Sequence, residues 1–332
     1  MTQKVIAEAL NLSRGTVSLA LSGSPLVNAA TRERVLEMAR RQRYRPNLAA
    51  RSISTGKSMS IGIIFPSISH PFNAAVVDGL QTCLLSAGYV GLYYPSNGPD
   101  DWQKALDALI PRRVDGIIAV ATTPEIISFL QREDIPSVFF GANRDGLDEV
   151  THDEERSGWL AATHLSALGH TRIGFIGPAD EVSGRFKGFR DALRSCGIAL
   201  ATDCIRSFVP GFGETSARQG YEAMKSLLNL PDRPTAIFAH NDQLAIGAMR
   251  AVYESRLSVP GDVSIIGHDD TYEGRYLPVS LTSVGLPTER IARELARLML
   301  HKLSQLKDPH RKPLRVLVEP ALVQRESTGG RR

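Results

Sequence analysis

Along residues 3–45 the apolar side chains recur at helical spacing, without the strict alternation of a half-buried strand. In 4–10 the inward positions are Ile6, Ala9 and Leu10. In LSRGTVSLAL (12–21) Val17, Ala20 and Leu21 make one stripe, which leaves Gly15, Ser18, Leu19 and Ser22 on the opposite face. Val35, Met38 and Ala39 repeat the spacing in a third segment. Asn11 suits a left-handed turn, Leu12 can fill the gap between helices, and Ser13 and Asn28 are natural N-caps. The third helix must stop before Pro46, because a residue preceding proline avoids the α region. Three short helices with a tight turn between the first two predict a small all-α helix-turn-helix domain over 1–46.

Residues 47–59, NLAARSISTGKSM, hold enough alanine to be helical and too few large apolar groups to bury themselves. They predict a hinge that orders only in some states. From residue 60 the period changes. SIGIIF (60–65), VDGIIAV (114–120), SVFFG (137–141), RIGFIG (172–177), TAIFAH (235–240) and VSIIG (263–267) are continuous apolar runs separated by amphipathic helical stretches. That pattern predicts α/β architecture, with parallel sheets covered by helices on both faces. It occurs twice, IGIIFPSISHPF (61–72) and IGFIGPADEVSGRF (173–186) each leading into a helix. Two lobes follow, one expected from 60–157 and 285–313, the other from 158–284 and 314–328.

Composition narrows the class. The 332 residues are 42% hydrophobic and 22% charged, ordinary for a globular protein, and contain no apolar run long enough to span a bilayer. The N-terminus lacks a signal-peptide pattern, and three cysteines without metal-ligand spacing fit reduced thiols, so a cytoplasmic location is expected. Residues 1–57 carry ten Lys/Arg against three acids, a charge of +7; with +4 overall, the remainder carries −3. A basic head on a slightly acidic body points to a polyanion partner for the head alone.

The exposed face of the second helix has the chemistry to meet that partner. Ser13, Thr16 and Ser18 can bond phosphate oxygens, Arg14 can reach a guanine edge, Gly15 permits close approach, and Leu19 can meet a thymine methyl. Asn28 joins this set of DNA contacts. Enzyme signatures fail one by one. TGKS (55–58) would need glycine where Arg51 stands, and GFGETS (211–216) ends on Ser216 with no following acidic strand end. Neither H-E-x-x-H nor G-x-S-x-G occurs. His164 and His170 are expected to cap or face solvent. No catalytic residue, metal or cofactor is expected. The carboxyl ends of the strands offer Phe72, Asp153, Arg185, Phe212, Asn241 and Asp269, a mixture of carboxylate, amide, guanidinium and rings suited to a small polyhydroxylated effector.

LSRGTVSLAL, TRERV (31–35), YRPNLAARS (44–52), ALGHTRIGFIGP (167–178), GRFKGF (184–189), HNDQLAIGAM (240–249), VPGDVSIIGHDD (259–270) and LTSV (281–284) together make the chain resemble the lactose/galactose repressor (LacI/GalR) family over essentially its whole length. The resemblance implies a two-lobed, periplasmic-binding-protein-like core and a homodimer that reads a palindromic operator on double-stranded DNA. It implies Arg14, Gly15 and Leu19 as base readers, Ile53 as a minor-groove lever from a hinge helix, and Arg185, Asn241 and Asp269 as effector contacts. Phe72 matches an aromatic used by some members. Asn11, Leu19 and Ile53 depart from the family's frequent glycine, arginine and leucine, and Gly141 and Ala142 stand where sugar-responsive members use an acid. Without a leucine-heptad helix after Arg325, dimers are expected, not tetramers. The expected function is a transcription regulator, a repressor controlled by a sugar or sugar derivative. The alternatives are a purine-like co-repressor stacking on Phe72, or a sugar-binding transport protein, which would need export and no basic head.

Overall fold

Helices α1 (Gln3–Leu10), α2 (Arg14–Leu21) and α3 (Ala29–Arg41) form the N-terminal unit of the chain. The computed structural model describes residues 3–21, 23–44, 56–96, 101–120, 122–180, 183–208 and 216–331; Ser22, Ile53, Phe212 and most of the 47–59 connector lie outside them. The turn between α1 and α2 forms because Asn11 takes φ 53°, letting the Leu12 amide donate to the Ala7 carbonyl at 2.9 Å. Ser13 Oγ then accepts the Thr16 amide at 3.0 Å, and Asn28 Oδ1 accepts the Thr31 amide at 2.8 Å to start α3. Ile6, Ala7, Val17, Ala20, Val27, Val35 and Ala39 make the core, with Leu12 packed against it. Ala7 is inside and Ala9 outside, the reverse of the expected stripe in α1. Arg32, part of the basic head by composition, donates to the carbonyls of Ser24 (2.7 Å) and Val27 (3.0 Å) and so holds the loop before α3.

Residues Met59–Arg332 form the second unit, built on two sheets. In the first, β1 (Ser60–Phe65), β2 (Val90–Pro95), β3 (Gly116–Ala119), β4 (Ser137–Phe140), β5 (Glu149–His152) and β11 (Arg315–Val318) run parallel in the order β11-β5-β4-β3-β1-β2. In the second, β6 (Ile173–Ile176), β7 (Ile205–Arg206), β8 (Ala236–Ala239), β9 (Ser264–Asp269), β10 (Thr282–Gly285) and β12 (Ala321–Val323) run β12-β10-β9-β8-β6-β7. Among the described residues, only the β12 pairing is antiparallel. Both faces of β1 are covered, which is why its sequence is continuously apolar. Ile61 and Ile63 pack under the Pro71–Ser86 and Thr288–Ser304 helices, and Ile64 under Asp101–Leu109 and Pro124–Arg132. Each fully buried isoleucine contributes roughly 1.5–3 kcal/mol.

The expected boundary at 314 moves. LRVLVEPALV does not stay in one lobe: β11 completes the first sheet and, after Pro320, β12 completes the second. Likewise the helix Glu154–Ala167, whose first residues were expected in the first lobe, packs with the second. The two histidines expected to cap or face solvent are structural ties. His170 is buried, bonded to Thr235 Oγ1 (2.9 Å), Ser264 Oγ (3.1 Å) and the Gly329 carbonyl (3.0 Å), while His164 bonds Thr328 Oγ1 at 2.9 Å. Together they fasten the C-terminal segment to the second sheet.

Two helices of the second unit pack unusually closely. A Cβ on Gly158 would overlap the Arg185 carbonyl, and one on Gly188 would overlap the Glu155 carbonyl. Glycine at both points lets the Glu154–Ala167 and Gly184–Ser195 helices touch backbone to backbone, which sets their first turns side by side.

Candidate functional site

On the head, α2 presents Arg14, Gly15, Ser18 and Leu19 to solvent, Leu19 at 39% exposure. Gly15 has no packing reason to be glycine: a Cβ there would meet only Ser13 Oγ at 3.6 Å, an ordinary contact. Glycine costs up to about 1 kcal/mol relative to alanine inside a helix, and packing within the head does not require it at this first-turn position. Ser13 and Thr16 hydroxyls bond each other at 2.9 Å, and the Asn28 carbonyl oxygen is occupied as a cap, so these three serve the helix starts.

In the body, the carboxyl ends of the two sheets meet. His70, following β1, places Nε2 3.2 Å from the side-chain amide nitrogen of Asn241, following β8, and 4.0 Å from Asp269 Oδ2, the last residue of β9. Asn241 Oδ1 caps the Asp242–Glu254 helix by accepting the Leu244 amide at 3.0 Å, so its NH2 faces His70 and His70 Nε2 is the acceptor. From the first sheet, the rings of Phe72 and Phe140 lie 5.9 Å apart, Phe140 stacks on His152 at 5.6 Å, and His152 reaches to 6.2 Å from His268 of the second sheet.

Arg185 is the centre of the charge. Its Nε and Nη2 donate to the two carboxylate oxygens of Glu154, the second bond at 3.0 Å, and Nη1 donates to the His240 carbonyl at 2.8 Å. His152 Nε2 stands 2.8 Å from Glu154 Oε1, outside hydrogen-bond geometry. Burial works against both charges of the pair, but the attraction between them prevails. Glu154 is held well below the ordinary carboxylate range and Arg185 above its own. Asp269 accepts from His268 Nδ1 at 2.8 Å and stays ionised despite burial, while its backbone takes φ 107°. A non-glycine residue there stores strain of order 1–3 kcal/mol. Asp242, fully buried, accepts from Ser283 Oγ and the Thr271 amide, both at 2.7 Å; desolvation and the nearby Asp269 raise it to about 8. Burial drives His240 down to about 3 and His268 to about 4, so both are neutral.

Of the residues expected to hold an effector, Arg185, Asn241 and Asp269 meet here, with Phe72 at the start of the ring series. Asp153 does not join them. It is exposed and caps its helix by accepting the Arg156 amide at 2.7 Å; the next residue, Glu154, turns inward. His70, His152, Glu154, His240, Asp242 and His268 were not singled out by the sequence, although each lies at a strand end like those that were. Among the described residues no group of His, Cys, Asp and Glu is placed to hold a metal ion, and no helix is long and apolar enough to cross a membrane.

A helix-turn-helix unit and a two-sheet body whose strand ends converge on buried polar groups define a ligand-responsive, DNA-binding transcription regulator. Residues 162–328 match the family described as periplasmic binding protein-like domain. The chain is 32% identical to the Probable HTH-type transcriptional repressor ExuR of Bacillus subtilis (strain 168), covering 98% of each, and 31% identical to the HTH-type transcriptional repressor PurR of Proteus mirabilis (strain HI4320), over 98% of this chain and 96% of that one. Among solved structures, the Lac repressor dimer bound to operator and the anti-inducer ONPF superposes with a TM-score of 0.86 at 27% identity, covering 99% of both chains. The transcriptional regulator CelR–cellobiose complex gives 0.72 at 27%, covering 98% and 99%. The chain belongs to the LacI/GalR family of transcription regulators.

Proposed function

We infer that this regulator represses transcription as a homodimer on a roughly palindromic operator in the cytoplasm, and that a small polyhydroxylated effector, a sugar or sugar derivative, controls it. In this reading the head is 1–46 and residues 47–59 are a hinge that packs on DNA. Arg14, Gly15 and Leu19 read bases, while Ser13, Thr16, Ser18 and Asn28 line the phosphate side and Ile53 is the minor-groove lever. The effector binds where the strand ends converge, against Arg185, Asn241 and Asp269, with Phe72 and Phe212 as ring surfaces. It shifts the angle between lobes, and the dimer passes that shift to the hinges.

The observation that carries the effector reading is Arg185 held between Glu154 and the His240 carbonyl with donor capacity remaining, at the junction where His70 touches Asn241. Support also comes from relatives: the Lac repressor structure is a dimer on operator, and the CelR structure holds cellobiose. Fluorescence anisotropy on promoter DNA, with and without sugars, tests it. Effector coupling is expected to change operator affinity ~5–150-fold. Arg14→Ala is expected to cost ~1–3 kcal/mol of discrimination between operator and altered operator. Absence of promoter binding under every condition would end the proposal.

A further inference from the structure

The junction between the sheets is short of cationic groups that a charged ligand could use. Among the described residues, Arg185 is paired by Glu154, and Asp270, next to the strained Asp269, is met by Arg325 at 2.5 Å and Arg275 at 2.9 Å. Asp269 adds a second ionised carboxylate, and Arg185 feels Glu154 and Asp269 together. His240 and His268 are neutral, and Asp242 is largely protonated at neutral pH. Glu154, Asp269 and Arg185 therefore sum to −1, and Asp270 with Arg275 and Arg325 sums to +1, while Arg185 itself, paired by Glu154, has no net charge to offer an anion.

The unmet hydrogen-bonding groups are of both kinds. His70 Nε2 accepts from Asn241, so its proton is on Nδ1, a buried donor without a partner. His268 donates through Nδ1 to Asp269, so its fully buried Nε2 is an acceptor without a partner. Three of the five Arg185 N–H groups are engaged, which leaves two further donors. A hydroxyl both donates and accepts, and can satisfy either orphan. A carboxylate or a phosphate dianion only accepts: the anionic group cannot meet His268 Nε2, which then falls to a remaining hydroxyl, and it adds charge beside Glu154 and Asp269.

We propose that Glu154 acts as a charge filter, neutralising Arg185 from within so that this regulator takes an uncharged, hydroxyl-rich effector and rejects its phosphorylated and acidic forms. The proposal rests on the sugar reading given above and names the ligand class within it. His70, after a strand of the first sheet, and His268, in a strand of the second, are the positioning groups assigned to the effector's hydroxyls.

Thermal shift and isothermal titration on the full-length chain test it with matched pairs: glucose against glucose 6-phosphate and glucuronate, galactose against galacturonate, ribose against ribose 5-phosphate, with cellobiose and nucleobases alongside. The expected result is that any sugar that binds does so at least ~tenfold more tightly than its anionic counterpart, and that Glu154→Gln narrows or inverts that ratio. An anion that binds the wild-type chain better than its neutral parent overturns the filter while leaving the sugar reading intact. A ratio unchanged in E154Q removes the role from Glu154. Should E154Q melt without a cooperative transition, the wild-type ratio decides alone. Binding of nucleobases with no response to any sugar, neutral or charged, sinks the sugar reading and the filter with it.

Discussion

His70 and Asn241 join two sheets that share no strand: the imidazole Nε2 after β1 accepts from the amide nitrogen after β8 at 3.2 Å. Each of the two residues immediately precedes the helix that follows its strand, so the bond reports directly on how the lobes are spaced. A neutral hydrogen bond of this kind contributes about 0.5–1.5 kcal/mol. His70→Ala is therefore expected to lower stability by that amount in urea titration and to alter effector affinity without changing DNA binding by the ligand-free chain more than a few-fold. An unchanged denaturation midpoint and unchanged effector affinity would show the contact to be idle.

Gly15 separates stability from recognition. Alanine there fits the space within the head and favours the helix, so G15A is expected to stabilise the head by up to about 1 kcal/mol. If α2 approaches a DNA groove through this point, the same methyl weakens operator binding. Calorimetry and anisotropy should thus move in opposite directions. A stabilised variant with full operator affinity would remove Gly15 from the interface.

The buried titratable groups give the body a stability optimum. His240 and His268 resist protonation down to about 3 and 4, against 6.5 in the unfolded chain, so the unfolded chain takes up more protons below pH 6.5 and stability rises with pH across roughly 4–6.5. Asp242 acts in the opposite sense. The folded chain keeps its proton up to about 8 and the unfolded chain loses it near 3.8, so its contribution falls as pH rises through that window. Below 6.5 the histidines outweigh Asp242, with His164 and His170, also lowered by burial, adding in the same sense; above it the Asp242 contribution falls with a limit of ~1.4 kcal/mol per pH unit. Melting temperature is expected to peak near pH 6.5 and to decline toward 8, and Asp242→Asn to abolish the decline. A wild-type curve that climbs from 6.5 to 8 would contradict this assignment.

Gly158 and Gly188 bring Glu154 to Arg185. Alanine at either position places a methyl group into a facing carbonyl. The helices must separate, at a cost of at least the ~1–3 kcal/mol typical of overpacking. G188A is expected to lower the melting temperature clearly and to weaken effector binding, although residue 188 lies in the seam between helices and carries no side chain to touch a ligand. Retention of wild-type melting would mean that the seam yields to a methyl group without strain.

Much of the architecture was legible because periodicity encodes it. The helical stripe of 12–21, the caps at Ser13 and Asn28, and the doubly buried strands each follow from a local rule acting on neighbouring residues. Three of the expected effector residues converge: Asn241 and Asp269 sit at or just beyond a strand end, where parallel sheets leave room for side chains, and Arg185 opens the helix that follows β6. Asp153 misled for a local reason: an aspartate before a helix is equally a cap, and here the cap uses it. His170 misled because a polar side chain just after a helix gives no sign that a C-terminal segment will return to cover it.

Sequence alone determined a basic three-helix head, a twice-repeated strand–helix body and the absence of enzyme signatures, since helix and strand periods, capping and net charge are set within a few residues. Tertiary structure decided the rest. It split 314–323 between two sheets, turned Glu154 rather than Asp153 toward Arg185, strained Asp269, and left His70 and His268 with unmet groups of opposite kind. Those outcomes depend on long-range packing, among it the two glycines that let the Glu154 and Arg185 helices touch, and on burial that changes which acids and histidines carry charge.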